Sequence, residues 1–231
     1  MPVSAPLSVI IPTFEPGPAL GACVHSLFEG LENAVVAQLV LSDGGTKGGL
    51  VDLAGDLGAV LVSGPMGRGG QLRRGAKAAN TRWLLFLHSD TVLSAGWSAA
   101  VMHHLNHHAN KAGYFDLRFN ATGFAPRFVA GWANLRSRLL GLPYGDQGLL
   151  ISRRLYDEIG GFDDIPLMED VAIAARLRGR LRAVGSVAVT SADTYLRDGW
   201  LRRGVQNFRT IRRYFRGDDP ARLAYEYYRQ K

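Results

Sequence analysis

The chain has 231 residues, of which 47% are hydrophobic and 20% are charged. This composition excludes an intrinsically disordered protein and allows one sizeable core. The 27 basic residues against 20 acidic ones give a formal charge of +7, which favours an anionic partner such as a nucleotide, a nucleic acid or a membrane surface. A single cysteine excludes an internal disulfide, and no segment approaches the roughly 20 apolar residues of a membrane span. We therefore expect a cytoplasmic protein.

Strands and helices are predicted to alternate in the first half of the chain. Short apolar segments rich in β-branched residues predict strands, and apolar residues at helical spacing predict helices. The predicted order is a strand at 7–12, a helix at 17–31, a strand at 38–41, a helix at 50–57, a strand at 59–62, a helix at 71–80 and a strand at 83–87. This alternation predicts an α/β fold with a doubly wound, mostly parallel sheet.

The second half is less regular. Aromatic and arginine residues are frequent between 114 and 138, and a helix is predicted at 170–177. Residues 201–216 predict a basic amphipathic helix, with six arginines and an apolar stripe made of Leu201, Val205, Phe208, Ile211 and Phe215. Such a helix can lie on an anionic membrane, or it can dock its stripe on the domain or on a second subunit to form a homodimer. The stripe is only moderately apolar, which favours docking.

Polar clusters follow three of the predicted strands, at 13–15, 43–46 and 88–90. Ligands of open α/β sheets bind outside the carboxyl ends of the strands. The three clusters therefore predict a ligand site at one edge of the sheet.

An ordered series of short motifs includes these clusters. The series is Ile-Ile-Pro-Thr-Phe-Glu at 10–15, Ser-Asp-Gly-Gly-Thr at 42–46, Gly-Arg-Gly-Gly-Gln at 67–71, His-Ser-Asp at 88–90, Gly-Asp-Gln at 145–147 and Glu-Asp at 169–170. Each motif is weak alone, but in this order and spacing they make the sequence resemble the family 2 glycosyltransferases of the GT-A fold, over residues 7–225. Within that family it is most similar to the short, single-domain bacterial group without membrane helices.

The resemblance implies a GT-A nucleotide-diphospho-sugar transferase fold with a mixed sheet. It implies an inverting enzyme that moves a sugar from a nucleotide-diphosphate donor to the hydroxyl of an acceptor that the sequence does not identify. We assign residues 1–199 to the catalytic domain and 200–231 to a basic amphipathic C-terminal helical extension of it. A diphosphate leaving group calls for a divalent cation, Mn²⁺ or Mg²⁺.

The resemblance also implies roles for individual residues. Asp90 is the metal ligand, at the second acidic position of the family's Asp-x-Asp motif. His88 replaces the first aspartate and, as a softer ligand, favours Mn²⁺ at least as much as Mg²⁺. The remaining assignments are Asp170 as catalytic base with Glu169 beside it, Thr13, Glu15, Asp43, Arg68 and His88 as donor-binding residues, and Asp146 and Gln147 as acceptor-binding residues.

Each of these motifs also has an ordinary structural interpretation. Aspartate at a helix start is a common cap, Asp-Gly-Gly is a common turn, Glu-Asp pairs favour the helix dipole, and the arginines at 68, 73 and 74 can form a solvated basic face. Four histidines at 103, 104, 107 and 108 have the spacing of a Zn²⁺ or Ni²⁺ site. No glutamate or cysteine accompanies them as in known zinc motifs, which favours a surface helix.

Other functions remain as alternatives. A sugar-1-phosphate nucleotidyltransferase uses a similar sheet, but no glycine-rich loop of its type follows the first strand. A degenerate transferase that binds a nucleotide without reacting is kept as an alternative because of His88. A basic module for a membrane or nucleic acid is the third alternative, although no nucleic-acid motif is present and no nucleic-acid partner is expected.

Overall fold

The structure is a computed structural model that describes residues 5–229, the side chain of Tyr228 excepted. Its described part contains eight strands: β1 (Leu7–Thr13), β2 (Val36–Asp43), β3 (Val60–Ser63), β4 (Trp83–Phe86), β5 (Thr91–Leu93), β6 (Ala112–Phe119), β7 (Leu149–Ser152) and β8 (Leu181–Thr190). The helices of the same part are α1 (Ala19–Glu32), α2 (Leu50–Asp56), α3 (Arg68–Ala78), α4 (Trp97–His107), α5 (Phe124–Leu140), α6 (Arg153–Glu158), α7 (Glu169–Arg176), α8 (Asp193–Asp198), α9 (Trp200–Phe215) and α10 (Pro220–Arg229). The described residues also include a 3-10 turn, Gly145–Gln147, which precedes β7.

The strands form one sheet in the order β3-β2-β1-β4-β7-β6-β8-β5. Six strands are parallel, whereas β7 runs antiparallel to β4 and β6, and β5 runs antiparallel to β8. The predicted mostly parallel, mixed sheet is thus confirmed. Because β7 is reversed, its first residue lies at the edge where β1, β2 and β4 end. That reversal brings the turn Gly145–Gln147 to the edge where the predicted ligand site lies.

Both faces of the sheet are covered. Alternate residues of a strand point to opposite faces, and in β1 Val9 and Ile11 pack in a core with α1 and α4 while Ile10 packs in a second core with α3, α6 and α7. Because all three side chains are fully buried, β1 has the continuous apolar sequence of a central parallel strand.

Several boundaries differ from the sequence-based prediction. Helix α3 begins at Arg68, three residues before the predicted start at 71. Gly67, with φ of 147°, precedes it, and at this φ a residue with a side chain would be strained. The glycines at 67, 69 and 70 gave no sign of a helix start in the sequence, because glycine is a poor helix former. Strands β5, β6, β7 and β8 were not predicted.

The C-terminal helices pack on the start of α7. Leu223 and Ala224 of α10 join Leu167, Met168 and Val171 in a small core, against which Ile211 of α9 also packs. The other four residues of the predicted α9 stripe, at 201, 205, 208 and 215, are exposed. Of the two docking alternatives, docking on the domain is therefore wrong for these four positions, whereas docking on a second subunit stays a prediction. None of the described helices combines the length and hydropathy needed to cross a bilayer.

Candidate active site

Two open cavities meet at the carboxyl edge of the sheet. One, of about 330 Å³, follows the exit of β1, and we call it the β1 cavity. The other, of about 200 Å³, is lined by the start of α7 and the 3-10 turn, and we call it the α7 cavity. Arg68, His88 and Asp90 line both cavities and form a shared wall.

Most of the predicted site residues meet at this pair of cavities. Thr13 and Glu15 line the β1 cavity, and Asp146, Glu169 and Asp170 line the α7 cavity. Side chains that are separated by more than 150 residues in the chain therefore share one cleft. Asp43 and Gln147 line neither cavity.

Asp43 is engaged by the turn that follows β2. Its Oδ2 accepts hydrogen bonds from the backbone nitrogens of Gly45 at 2.8 Å and Thr46 at 2.9 Å, and the Thr46 hydroxyl donates to its Oδ1. Burial alone would raise the pKa of this carboxyl, but the hydrogen bonds from Thr46 and Gly45 outweigh burial and hold the pKa below its usual value. Asp43 thus builds the turn, and its contact with a nucleotide stays a prediction.

The turn after β2 is tied to the loop after β1. The backbone nitrogen of Glu15 donates to the Thr46 hydroxyl at 3.1 Å, and Lys47 donates its backbone N–H to Glu15 Oε1 at 3.2 Å. Glu15 has a φ of 44°, a left-handed conformation that is rare for non-glycine residues and often found at functional sites. Thr13 Oγ1 is buried and has no hydrogen-bond partner among the described residues.

Arg68 reaches the cleft because its helix begins in close contact with the loop before α7. A Cβ at Gly69 would lie 2.1 Å from the carbonyl oxygen of Asp163, so only glycine allows this approach. Arg68 Nε lies 3.5 Å from Glu169 Oε1. The first turn of α3 therefore presents a guanidinium to the shared wall, a group suited to an anion.

His88 is partly buried, and its imidazole is neutral. Burial, and secondly the charge of Arg68, hold the pKa of its imidazole well below the usual value. A Cβ at Gly145 would lie 2.5 Å from His88 Nε2, so the ring packs directly against the backbone of the 3-10 turn. His88 thus contributes no charge to the wall that Asp90 and Arg68 share.

The start of α7 orients two carboxyl groups. Met168, just before the helix, has a left-handed φ of 70°, a strained conformation for this residue type. Asp170 Oδ2 accepts a hydrogen bond from the backbone nitrogen of Gly145 at 2.8 Å, and Oδ1 accepts one from Val171 at 2.7 Å. Glu169 is only 1% exposed. Burial and then the charge of Asp170 raise its pKa to about 7, although Arg68 opposes the shift.

The two predicted acceptor-binding residues, Asp146 and Gln147, differ in their hydrogen bonding. Asp146 Oδ1 is buried without a hydrogen-bond partner among the described residues, and burial raises the pKa of this carboxyl to about 6. Gln147 has no exposed surface, accepts from the Ser137 hydroxyl at 2.6 Å and donates to the Phe115 carbonyl at 3.1 Å. Gln147 therefore anchors the 3-10 turn that presents Asp146, and its contact with an acceptor stays a prediction.

The acidic residues at the cleft fit a cation that brings ligands of its own. Asp90, Asp146 and Glu169 all have raised pKa values, chiefly because of burial, so added positive charge would stabilise their ionised forms. Within residues 5–229, no three side chains of His, Cys, Asp or Glu are grouped as a complete metal site. Asp90 could therefore hold Mn²⁺ or Mg²⁺ only together with further oxygen ligands, such as phosphate and water.

The histidines of α4 do not form such a group either, as far as the described residues show. His104 is buried, and its Nε2 lies 3.0 Å from the carbonyl oxygen of Lys111. The rings of His103 and His107 stack with centroids 4.3 Å apart. His104 is therefore a packing residue of the helix.

Several residues of the α7 cavity were not predicted from the sequence. They are Tyr144, Tyr195, Arg203 and Asn207. Arg203 was counted among the arginines on the polar face of the last predicted helix, but it is buried and lies 3.5 Å from Asp198. Helical spacing could have flagged it, because Arg203 lies one turn before Asn207 and two turns before Ile211, which is in the apolar stripe.

Comparisons with known proteins agree with this architecture. The family model described as glycosyl transferase family 2 matches residues 8–139, more than half of the chain. No curated protein matches the sequence.

The fold is also similar to solved structures, at low sequence identity. TarS from S. aureus has a TM-score of 0.61 and 14% identity, with 80% of this chain and 36% of that chain covered. GalNAc-T7, solved with UDP, GalNAc and Mn²⁺, has a TM-score of 0.62 and 16% identity, with 83% and 44% covered. The mannosyltransferase PcManGT from Pyrobaculum calidifontis, solved with GDP-Man and Mn²⁺, has a TM-score of 0.62 and 16% identity, with 91% and 62% covered. The chain thus spans less than two thirds of the length of each.

These similarities show the GT-A fold that the sequence predicted. Together with the match to the family model, they lead to one conclusion. The chain belongs to glycosyl transferase family 2.

Proposed function

We propose that this protein transfers a sugar from a nucleotide-diphosphate donor to an acceptor hydroxyl, with inversion at the anomeric carbon and with a divalent cation. The observation that carries the proposal is the shared wall of Arg68, His88 and Asp90, with the β1 cavity on one side and Asp170 in the α7 cavity on the other. A donor at this wall would have its reacting carbon between a phosphate-binding group and a carboxylate. That is the arrangement which a single displacement needs.

The β1 cavity would take the nucleotide. Thr13 and Glu15 line it and offer polar oxygens to a base or a ribose. Solved structures of similar fold contain UDP or GDP-Man together with Mn²⁺, which supports a nucleotide donor. The nucleobase and the sugar are left for experiment.

Charge at the wall would stabilise the leaving group. Arg68 can donate two parallel hydrogen bonds to diphosphate oxygens, and the N-terminus of α3, which begins at Arg68, favours an anion. A divalent cation on Asp90 would neutralise charge that develops on the diphosphate as the glycosidic bond breaks. Because His88 is neutral, these groups carry the electrostatic part of catalysis.

Asp170 would act as the general base. It removes the proton of the acceptor hydroxyl while the acceptor oxygen bonds to the anomeric carbon and the carbon–phosphate oxygen bond breaks. One displacement without a covalent intermediate inverts the anomeric centre. The hydrogen bonds from Gly145 and Val171 hold the carboxylate in one orientation, and Asp146 in the same cavity can accept hydrogen bonds from acceptor hydroxyls.

A thermal-shift panel tests the proposal. A ligand that binds only the folded state raises the melting temperature, so we expect one of the UDP-, GDP-, CMP- or dTDP-sugars to do so, more strongly with Mn²⁺ than without a divalent cation. Mg²⁺ should support binding no better than Mn²⁺. A flat response to the whole panel would refute the donor assignment. Donor binding without any transfer of the sugar, either to an acceptor or to water, would instead indicate a degenerate transferase.

A further inference from the structure

Helix α5 carries a row of exposed aromatic and aliphatic side chains. Phe124 is 82% exposed, Phe128 61% and Trp132 58%, and their spacing of four residues places them on one face of the helix. The rings of Phe124 and Phe128 stack with centroids 5.9 Å apart. Leu139 extends the row with 73% exposure. An exposed apolar row of this length is unusual on a soluble surface and marks an interaction site.

Helix α9 continues this surface. Phe208 and Phe215 are exposed, and together with Trp132 and Leu140 of α5 they line one groove of about 470 Å³ between the two helices. Leu201 and Val205 extend the exposed stripe toward the start of α9. We call the exposed apolar side chains of both helices the α5–α9 face.

Both helices that carry this face are basic. Neither α5 nor α9 contains an aspartate or a glutamate. Exposed arginines surround the apolar rows, namely Arg127, Arg202, Arg209, Arg212 and Arg216. Among the described residues, no carboxylate lies within ion-pair distance of Arg209, Arg212 or Arg216, whereas Arg213 pairs with Asp218 and Glu226.

We propose that the α5–α9 face docks on an anionic lipid bilayer. Aromatic and aliphatic side chains on one face with arginines around them are the features of a helix that lies in a membrane interface. The arginines would meet the phosphates of anionic lipids. A second copy of the chain suits this face less well, because a twofold contact would bring the same unpaired arginines against each other.

The position of the face connects docking with the cleft. The groove between α5 and α9 shares Tyr144, Asp146 and Tyr195 with the α7 cavity. Docking would thus hold the α7 cavity beside the bilayer surface, where it meets acceptors carried by the membrane. The docking itself does not depend on the proposed transferase activity.

Vesicle sedimentation tests the proposal with the full chain and without any nucleotide sugar. We expect the protein to sediment with vesicles of phosphatidylcholine and phosphatidylglycerol at low salt, and to be released by high salt. It should remain in the supernatant with phosphatidylcholine alone. The double variant Arg209→Glu with Arg212→Glu should lose at least tenfold in vesicle affinity, and Phe128→Ser with Phe208→Ser should lose severalfold.

Two control variants distinguish the effect of this face from the effect of removing charge or apolar surface anywhere on the protein. Arg178→Glu removes an exposed arginine elsewhere, and Val51→Ser removes a 71% exposed apolar side chain on α2; both should bind vesicles like the unmodified protein. Trp132 gives a direct readout, since its fluorescence should shift to shorter wavelength on vesicles and Trp132→Phe should remove that shift. Unchanged melting temperatures would show that the variants fold.

Three results would overturn the proposal. One is failure to sediment with anionic vesicles at low salt. Another is a loss of binding in Arg178→Glu equal to that in the single variant Arg209→Glu, which would indicate net charge alone. The third is a dimer in sedimentation equilibrium that Phe208→Ser dissociates, because a second copy would then cover the face. None of these results bears on nucleotide-sugar binding, which the thermal-shift panel measures separately.

Discussion

Replacing Asp170 with asparagine tests the catalytic geometry most directly. The substitution keeps the size of the side chain but removes the proton acceptor that the mechanism requires. Asp170 now accepts two backbone hydrogen bonds, from Gly145 at 2.8 Å and Val171 at 2.7 Å. An asparagine has one carbonyl oxygen and one NH₂ group, so one of these two N–H groups loses its acceptor.

The structure therefore predicts two effects of different size. Losing one hydrogen bond costs about 1 kcal/mol of folding free energy. Losing a general base lowers kcat by roughly 10²- to 10⁴-fold, which corresponds to an activation free energy higher by about 3 to 5 kcal/mol. Because the proposed donor site lies at the other side of the wall, the Kd of the donor should change little.

The assay compares initial rates of sugar transfer, donor affinity and thermal unfolding for Asp170→Asn and the unmodified protein. Asp157→Asn, at an exposed position of α6, is the matched control and should leave all three unchanged. Unchanged turnover in Asp170→Asn would refute the assignment of the base. A rate loss that is fully explained by lost folding or lost donor binding would refute it as well.

Three further substitutions probe the packing of the site, the charge of the site and the core of the sheet. Gly145→Ala would put a methyl group 2.5 Å from His88 Nε2, so we expect the 3-10 turn to be displaced. The initial rate of sugar transfer should fall at least tenfold, while the circular dichroism spectrum should show that the variant is folded. The pKa of Glu169 is raised from 4.5 to about 7 in the folded protein, so the folded state should lose stability as the pH rises from about 4.5 to about 7. Glu169→Gln should make the melting temperature less dependent on pH in this range. An unaltered slope of melting temperature against pH in the variant would contradict this assignment. Leu85 is fully buried in the sheet, so Leu85→Ala should lower the free energy of unfolding, measured with urea, by about 3 kcal/mol. A change near zero would contradict this expectation.

The first half of the fold could be predicted because its signals are local. In β1, β2 and β4, short apolar runs end at polar residues, and each run is long enough to identify a central strand by itself. The position of the polar residues that follow these strands could be predicted for the same reason. Once the sheet is parallel, the ends of these strands must meet at one edge.

Apart from the helices predicted at 170–177 and 201–216, which match α7 and α9, most elements after β4 were not predicted because long-range packing decides them. Strand β5 has only three residues, Thr91–Leu93, and is held by pairing with β8, nearly 100 residues later. Tyr195 enters the α7 cavity only because α8 packs there, and its ring stacks on Trp200 with centroids 4.8 Å apart. No spacing within a single helix encodes such a position.

The predicted roles of Asp43 and Gln147 show a related limit. A motif identifies a polar residue at a functional place but does not tell whether its side chain faces the ligand or supports the loop. In the structure both side chains use their hydrogen-bonding groups within the protein, Asp43 in its own turn and Gln147 under the 3-10 turn. Burial and hydrogen-bond partners distinguish the two uses, and neither can be obtained from the sequence.

The replacement of the first motif aspartate by His88 becomes understandable from the charges around it. Asp90, Asp146, Glu169 and Asp170 already line the α7 cavity together with His88. The raised pKa values of Asp146 and Glu169 show that burial and mutual repulsion already disfavour ionisation there. A further carboxylate at position 88 would increase this repulsion unless a cation were bound. A neutral imidazole instead fills the space against Gly145 without adding charge, so it adds no repulsion to the folded cleft when no cation is bound.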